Sequence, residues 1–190
     1  MERKRIIVGA AGASGFPVLE ACLKIISDET DFASCLIMSD NAGLTLAHEM
    51  GKQQETYEGY ADYVFSPGEI GALPASGTFQ TEGMLIVPCS MKTAAGIYSG
   101  YTDNLLLRAA DVTLKEHRTL VLGVRETPLS SIHLRNLYEL SKLPGVWIVP
   151  LMMTFYHHPK EIGDMVYHMA AKLLEPFGIE PKEYRRWNGL

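Results

Sequence analysis

The first residues form a strand–turn–helix pattern, and this pattern restricts the fold more than any other feature of the chain. The apolar run RIIV of residues 5–8 breaks into the small residues GAAGASG, 9–15, and a helix-compatible segment follows over 16–26. A strand that turns through glycines into a helix directs free backbone N–H groups and the positive helix end towards an anion. The glycine spacing differs from the dinucleotide fingerprint Gly-x-Gly-x-x-Gly. The pattern predicts a phosphate site at Ser14, with tight packing of the turn as the alternative.

Length, charge and cysteine content limit the class of protein. With 190 residues the chain is predicted to form one domain, 1–190, and its net charge of −5 without a basic run argues against a nucleic-acid partner. No apolar run reaches the about 18 residues of a membrane span, and the stretch after 3–5 is too short to predict a signal peptide. Cys22, Cys35 and Cys89 are widely spaced, which is typical of reduced, buried thiols in a cytoplasmic protein.

Short apolar runs rich in β-formers alternate with longer helix-compatible segments. This alternation predicts an α/β fold in which helices cover both faces of a parallel sheet. The predicted strands are 5–9, 33–38, 83–88, 119–124 and 146–150, and the predicted helices are 16–27, 41–51, 103–116, 131–142 and 159–175. Residues 53–80 fit this alternation least and are predicted to be irregular, apart from a short strand at 63–65.

Polar or special residues follow each predicted strand. They are Ser14, Ser39, the segment 90–93, Arg125 with Glu126, and the segment 154–158. In parallel sheets, ligands bind at the carboxyl ends of the strands, which meet at one edge. We therefore expect these residues to converge on one binding site.

The C-terminal segment, about 180–190, is too polar for a core position and carries the large aromatic side chain of Trp187. Two interpretations stay open. The segment is either a frayed terminus with Trp187 on the surface, or an arm that closes a site in its own or a neighbouring subunit.

Seven motifs occur in the order found in one enzyme family. They are GASG (12–15), MS (38–39), PCSMKT (88–93), RAADVTLKE (108–116), VRETPL (124–129), FYHHP (155–159) and RWNG (186–189). Over residues 5–189 the chain resembles the UbiX/Pad1 flavin prenyltransferases, once named the small subunit of hydroxyarylic-acid decarboxylases. The resemblance implies a flavodoxin-like, Rossmann-like three-layer sandwich with a mainly parallel sheet, and a single flavoprotein domain.

The resemblance also implies an activity. The enzyme would join the dimethylallyl group of dimethylallyl phosphate to reduced FMN, without a metal, and would supply prenylated FMN to a UbiD-type decarboxylase. The family assembles as trimers that build a dodecamer. Breaking the allylic C–O bond leaves phosphate and an allyl cation, so such a site needs cations for the phosphate and aromatic faces for the allyl group.

The matching motifs imply roles for individual residues. The residues implied to bind FMN are Gly12, Ala13, Ser14, Ser39, Ser90, Met91, Lys92, Thr93 and Arg125. The residues implied to bind the prenyl phosphate are Tyr156, Lys172, Arg108 and Lys115, the last two from across a subunit boundary. Catalytic roles are implied for Glu126, Ser14, Glu49 and Trp187. The alternatives are solvated charges at Arg108 and Lys115, a structural Arg125–Glu126 pair, and a mid-helix surface carboxylate at Glu49.

Two other functions stay open from the sequence: a non-catalytic FMN carrier or assembly subunit of an aromatic-acid decarboxylase, and an FMN-dependent cysteine decarboxylase. A metal site is not predicted, because the adjacent His157 and His158 lack the i, i+4 spacing of helical zinc ligands. The chain departs from the family at Asp40, where lysine is usual, and at 152–154, MMT, where proline and alanine are usual. Neither departure removes a residue that the resemblance implies for the chemistry.

Overall fold

A six-stranded parallel sheet forms the centre of the protein, which we describe over residues 3–189 from a computed structural model. The strands are β1 (Lys4–Ala10), β2 (Phe32–Met38), β3 (Tyr63–Phe65), β4 (Gly83–Cys89), β5 (Thr119–Val124) and β6 (Val146–Pro150). Their order across the sheet is β3-β2-β1-β4-β5-β6, and every neighbouring pair is parallel. The α/β fold with a mainly parallel sheet is confirmed.

Helices connect successive strands and cover the sheet. They are α1 (Phe16–Glu29), α2 (Asp40–Met50), α3 (Gln54–Glu58), α4 (Met91–Ser99), α5 (Leu105–Lys115), α6 (Ser131–Ser141) and α7 (Ile162–Leu174), with short 3₁₀ turns at Leu73–Ala75 and Glu175–Phe177. The five predicted helices are present with small shifts at their ends. The short α3 and the longer α4 are not among the predicted helices. Over residues 3–189 no helix is long and apolar enough to cross a membrane.

The core lies on both faces of the sheet because side chains alternate along each strand. In β1, Val8 packs into a cluster with α1 and α7, whereas its neighbour Ile7 packs on the opposite face with α4 and α5. This arrangement makes the three layers of helix, sheet and helix. It leaves the carboxyl edge of the strands as the place where loops can form a site.

All three cysteines are buried free thiols. Burial raises the pKa of the Cys35 and Cys89 thiols to about 12. A thiol that stays protonated is a poor nucleophile. Cys89, which precedes the polar segment after β4, is therefore a packing group, as predicted.

Gly83 allows β4 to lie close to β5. Its φ is +148°, and a Cβ at this position would lie 2.1 Å from the backbone oxygen of Thr119. We expect Gly83→Ala to lower the free energy of unfolding by roughly 2 to 4 kcal/mol, because backbone strain and a clash with backbone act together. Urea unfolding measures the loss. Gly71→Ala is the matched control, since a Cβ there would meet nothing within 4 Å, and an equal effect of both changes would contradict the explanation.

Candidate functional site

Backbone hydrogen bonds connect the loops that follow neighbouring strands of the sheet. Ser39 N donates to Ala10 O at 2.9 Å, and Ala11 N donates to Pro88 O at 3.0 Å. On the other half of the sheet, Arg125 N donates to Cys89 O at 3.2 Å, and Leu151 N donates to Val124 O at 3.0 Å. The loops after β1, β2, β4, β5 and β6 therefore lie side by side. The polar residues that follow these strands therefore lie along one edge of the sheet, and their convergence on one binding site stays a prediction.

A cleft of about 480 Å³ lies at this edge, where the first residues of α2, α4 and α5 meet. The lining residues that carry polar side chains are Ser39, Asp40, Asn41, Ser90, Lys92, Thr93, Asp103 and Asn104. Ser90 Oγ accepts from Thr93 N at 3.2 Å, and Asn104 Oδ1 accepts from Leu107 N at 3.0 Å, so both residues cap their helices. Three positive helix ends that face one space favour an anionic group there.

The cleft is lined by some of the residues that the sequence predicted to bind FMN and by others that it did not. Of the predicted FMN residues, five line it and four do not: Gly12, Ser39, Ser90, Lys92 and Thr93 line it, whereas Ala13, Ser14, Met91 and Arg125 do not. Asn41, Asp103 and Asn104 line it as well, without having been singled out. The sequence contained a signal for such residues, because Asn and Asp directly before an apolar run mark the start of a helix. The acidic Asp40 also faces this space.

The N-terminus of α1 carries a carboxylate of the protein itself. Glu49 Oε2 accepts from Gly15 N and from Phe16 N, both at 3.1 Å, and a further hydrogen bond joins it to Ser14. The turn is tight, since Gly15 has φ +133° and a Cβ there would lie 2.9 Å from Leu151 Cδ1. The opening pattern thus does form an anion site, but Glu49 occupies it. The phosphate site predicted at Ser14 therefore stays a prediction, because the N–H groups of Gly15 and Phe16 already have a partner within the protein.

The hydrogen bonds on Glu49 determine its titration. Burial alone would raise its pKa, but the hydrogen bonds from Ser14, Gly15 and Phe16, together with the charge of Arg125, lower it below the usual 4.5. A carboxyl whose folded pKa is lowered stabilises the fold above its unfolded pKa, and this contribution is lost as the pH falls through the folded pKa.

We expect Glu49→Gln to flatten the fall in stability below pH 4.5, because the variant has no proton to take up at this position. Thermal unfolding measured from pH 7 to pH 3 tests this expectation. Glu58→Gln is the control, since the Glu58 carboxylate accepts from the Gln54 side chain and, over residues 3–189, from no backbone N–H group. A pH profile equal to that of wild type would contradict the assignment.

Arg125 and Glu126 follow β5 directly. Their side chains approach each other, with Arg125 Nη1 3.9 Å from Glu126 Oε1, and both remain partly exposed. Glu126 Oε1 also accepts from Thr127 N at 3.0 Å, which fixes the carboxylate near the strand end. Because Arg125 interacts electrostatically with Glu49 as well, the loop after β5 and the turn after β1 face a common space. A cation and a carboxylate beside this space can bind an anion and exchange a proton with it.

An aromatic pair and a chain of charges lie after β6. The rings of Tyr156 and Trp187 are 5.3 Å apart and tilted by 58°. Lys172 Nζ donates to Glu175 Oε2 at 2.7 Å, and Arg186 donates to Glu175 Oε1 at 2.9 Å. Since 73% of Tyr156 and 58% of Trp187 remain exposed, aromatic surface is left for a ligand. Within residues 3–189, no hydrogen bond or ion pair joins this group to Arg125 or Glu126.

Arg108 and Lys115 lie on α5, with their charges paired locally. Arg108 Nη1 is 3.2 Å from Asp111, and Lys115 is paired with Glu116. Lys115 is the last residue of α5 and lies beside the backbone of Gly77. Because α5 starts at the carboxyl edge of the sheet, its last residue lies towards the opposite edge. The subunit therefore does not bring Lys115 to its own Glu126.

Two histidines stack near the aromatic pair. The rings of His157 and His168 are 4.2 Å apart and nearly parallel, and the ring of Tyr184 lies 4.9 Å from that of His168. In the part of the chain that the structure covers, no group of three or more His, Cys, Asp or Glu side chains is placed to hold a metal ion. The stacked rings lie between α7 and the C-terminal segment.

Comparisons with known proteins show the family and agree with the fold. A sequence profile of the flavoprotein family matches residues 1–174. A probable UbiX-like flavin prenyltransferase from Escherichia coli is 45% identical over 186 residues, which cover 98% of this chain and 94% of that protein. The crystal structure of AnUbiX (PadA1) in complex with FMN and dimethylallyl pyrophosphate aligns with a TM-score of 0.96 and 39% identity over 100% of both chains. A dodecameric FMN-dependent UbiX-like decarboxylase from Escherichia coli O157:H7 aligns with a TM-score of 0.94 and 44% identity, over 97% of this chain and 100% of that chain.

Proposed function

The chain belongs to the flavoprotein family and, within it, to the UbiX-like flavin prenyltransferases, and we propose that it transfers a dimethylallyl group from dimethylallyl phosphate to reduced FMN. The observation that carries this proposal is the cleft where α2, α4 and α5 begin, together with the Arg125–Glu126 pair, whose loop is hydrogen-bonded to Cys89, the residue before Ser90. It combines an anion site for one substrate with an acid–base group for the reaction.

FMN is proposed to bind with its phosphate in this cleft. The backbone N–H groups at the start of α4 and the hydroxyls of Ser39, Ser90 and Thr93 are suitable donors for a phosphate dianion, and Lys92 adds a positive charge. The negative charge of Asp40 repels a phosphate. The attraction by the positive helix ends and by Lys92 therefore has to exceed this repulsion. Ser14 and Arg125 are proposed to bind the flavin ring, since they lie on the neighbouring loops.

The prenyl donor is proposed to bind between the Arg125–Glu126 pair and the Tyr156–Trp187 pair. Lys172 would bind its phosphate, and Arg108 and Lys115 would reach the same phosphate from a neighbouring subunit. The exposed faces of Tyr156 and Trp187 would lie against the dimethylallyl chain. An aromatic face stabilises positive charge as the allylic C–O bond breaks and excludes water from the allyl group.

Reduced FMN, when bound, supplies the electron-rich ring that the allyl group alkylates. The residues around it would act on charge and on protons. Arg125 and the lysines would balance the charge of the leaving phosphate. Glu126 would pass a proton to or from this phosphate. Glu49 is hydrogen-bonded to Ser14, so these two residues together are proposed to accept the proton that a carbon of the flavin ring loses when it bonds to the allyl group.

The relatives favour prenyl transfer over the two alternatives. The similarity that covers nearly the whole chain at 45% identity is to a protein named as a probable flavin prenyltransferase. A bare FMN carrier would have no need for Glu126, Tyr156 and Trp187. For a cysteine decarboxylase, the extra cations Arg108, Lys115 and Lys172 would have no substrate group to bind.

We also propose a homo-oligomer, a dodecamer, in the cytoplasm. Large apolar side chains on α6 and on the edge strand β6 are half or more exposed: Ile132, Leu134, Tyr138 and Trp147. An exposed apolar surface of this kind is typical of a protein–protein interface. The free cysteines suit a reducing compartment. A UbiD-type decarboxylase is the proposed recipient of the product, on the strength of the family membership.

The activity can be tested with two substrates and one mass measurement. The purified protein is mixed anaerobically with reduced FMN and dimethylallyl phosphate. The mass of the released flavin is then determined by mass spectrometry. We expect FMN that is heavier by one C5H8 unit. A parallel reaction with dimethylallyl diphosphate identifies the preferred donor. Unmodified FMN with both donors would contradict prenyl transfer and favour the carrier, whereas loss of CO2 from a peptide with a C-terminal cysteine would favour the decarboxylase.

A further inference from the structure

The C-terminal segment 180–189, here called the arm, is attached to the layer formed by α1 and α7. Tyr184 packs against the ring of His168, and Arg186 donates to both Glu175 and Glu180. Trp187 then meets Tyr156. The arm is thus held along its length, and Trp187 lies at the proposed prenyl site.

Two side chains hold the beginning of the arm through its backbone. Glu29, the last residue of α1, accepts from Lys182 N at 2.7 Å. Tyr167 on α7 accepts from Glu183 N at 3.2 Å, and its hydroxyl donates to Glu29 Oε1 at 3.1 Å. Two successive backbone N–H groups outside any helix or strand therefore obtain partners. One hydroxyl links α7, the end of α1 and the arm.

This link fixes the register of the arm. Only a few residues separate Glu183 from Trp187, and an extended chain advances at most about 3.5 Å per residue, so a displacement at Lys182 and Glu183 is transmitted to Trp187. We propose that Tyr167 and Glu29 are positioning residues that place Trp187 against Tyr156 for prenyl transfer. The proposal rests on the function proposed above. Neither residue is among those that the family motifs imply.

The Tyr167 hydroxyl is suited to this role because it stays protonated. Burial raises its pKa most, the hydrogen bond from Glu183 N lowers it in part, and the neighbouring carboxylate of Glu29 raises it again, so that the pKa stays above its usual value. The hydroxyl therefore remains a donor to Glu29 at neutral pH. Phenylalanine at this position keeps the ring and removes only the link.

The test uses Tyr167→Phe and measures turnover together with the position of Trp187. We expect the KM for dimethylallyl phosphate to rise about tenfold, the change expected from losing two net hydrogen bonds, while the Kd for FMN stays within about twofold. In a Trp147→Phe background, Trp187 is the remaining tryptophan. We expect its emission to shift to longer wavelength and its quenching by acrylamide to increase.

Further variants separate positioning from general stability. Glu29→Gln keeps an oxygen acceptor, so it is expected to raise the KM for dimethylallyl phosphate less than Glu29→Ala does. Tyr63→Phe is the matched control, because it removes a hydroxyl on the distant edge strand β3. The proposal is overturned if Tyr167→Phe changes the KM for the donor no more than Tyr63→Phe does, or if it weakens FMN and donor equally.

The fluorescence measurement does not depend on turnover. If the wild-type protein makes no prenylated FMN, the proposed function fails, and an unchanged Trp187 emission in Tyr167→Phe would independently overturn the positioning pair. If prenylated FMN forms but Trp187 emission and donor KM stay unchanged in the variant, only the positioning pair fails.

Discussion

Glu126→Gln is expected to bind FMN as wild type does and to lose prenyl transfer by a factor of about 100 to 10,000, the usual contribution of a general acid or base. The amide keeps the shape of the side chain and an oxygen that can accept from Thr127 N, so the loop after β5 should hold its conformation. It removes the proton exchange with the leaving phosphate. Single-turnover kinetics with reduced FMN and dimethylallyl phosphate measure the rate, and flavin fluorescence titration measures binding.

Two controls limit the interpretation of this variant. Glu58→Gln makes the same chemical change at a carboxylate that is hydrogen-bonded to Gln54 and does not line the cleft, and it should leave the rate unchanged. Substrates with a better leaving group need less proton transfer, so a donor with a less basic leaving group should restore part of the Glu126→Gln rate. Prenylation by Glu126→Gln at the wild-type rate would remove Glu126 from the mechanism and leave it as a structural partner of Arg125.

The architecture could be predicted from local patterns because buried parallel strands are short, apolar and regularly spaced. The bounds of β5 and β6 agree with the sequence pattern, and so does the short β3 within an otherwise irregular segment. The α4 helix was not predicted from the sequence, because it begins directly after β4 and is rich in small residues. Its signal was Ser90, which caps it through Thr93 N.

The roles of charged residues could not be derived in the same way, because they depend on contacts between distant parts of the chain. Glu49 looks like a surface carboxylate in its own helix, yet it accepts from Gly15 and Phe16, more than thirty positions earlier. The link between Glu29, Tyr167 and the arm joins residues up to 153 positions apart. No periodicity or motif encodes such a pair.

The position of Lys115 follows from the direction of α5. Leu106 and Leu107 at its start line the cleft at the carboxyl edge, and the helix of 11 residues ends at Lys115. A helix rises about 1.5 Å per residue, so Lys115 lies roughly 10 Å along the axis from Arg108 and away from the cleft. Glu126, in contrast, follows the carboxyl end of β5. If Lys115 contributes to catalysis, it must therefore do so in the site of another subunit.

Lys115→Ala is expected to lower kcat/KM for dimethylallyl phosphate by about 10- to 100-fold, the effect of losing a charged hydrogen bond to the phosphate, and to leave the Kd for FMN unchanged. Lys142→Ala is the matched control, because Lys142 also lies at a helix end and pairs with a nearby glutamate. Steady-state kinetics and flavin titration separate the two constants. An equal loss of donor and FMN affinity would show that Lys115 supports the fold of α5 instead.

Mixing two defective variants tests whether Lys115 acts across the subunit boundary. Lys115→Ala subunits keep Glu126, and Glu126→Gln subunits keep Lys115, so a mixed oligomer contains sites that combine both native residues. If the subunits assemble at random from equal amounts, about a quarter of the sites combine them, and activity should recover towards about a quarter of wild type. Recovery is impossible if both residues serve the same subunit, because every site then carries one defect. Mixtures that exchange subunits, as shown by native mass spectrometry, but stay inactive would therefore place Lys115 outside the neighbouring site.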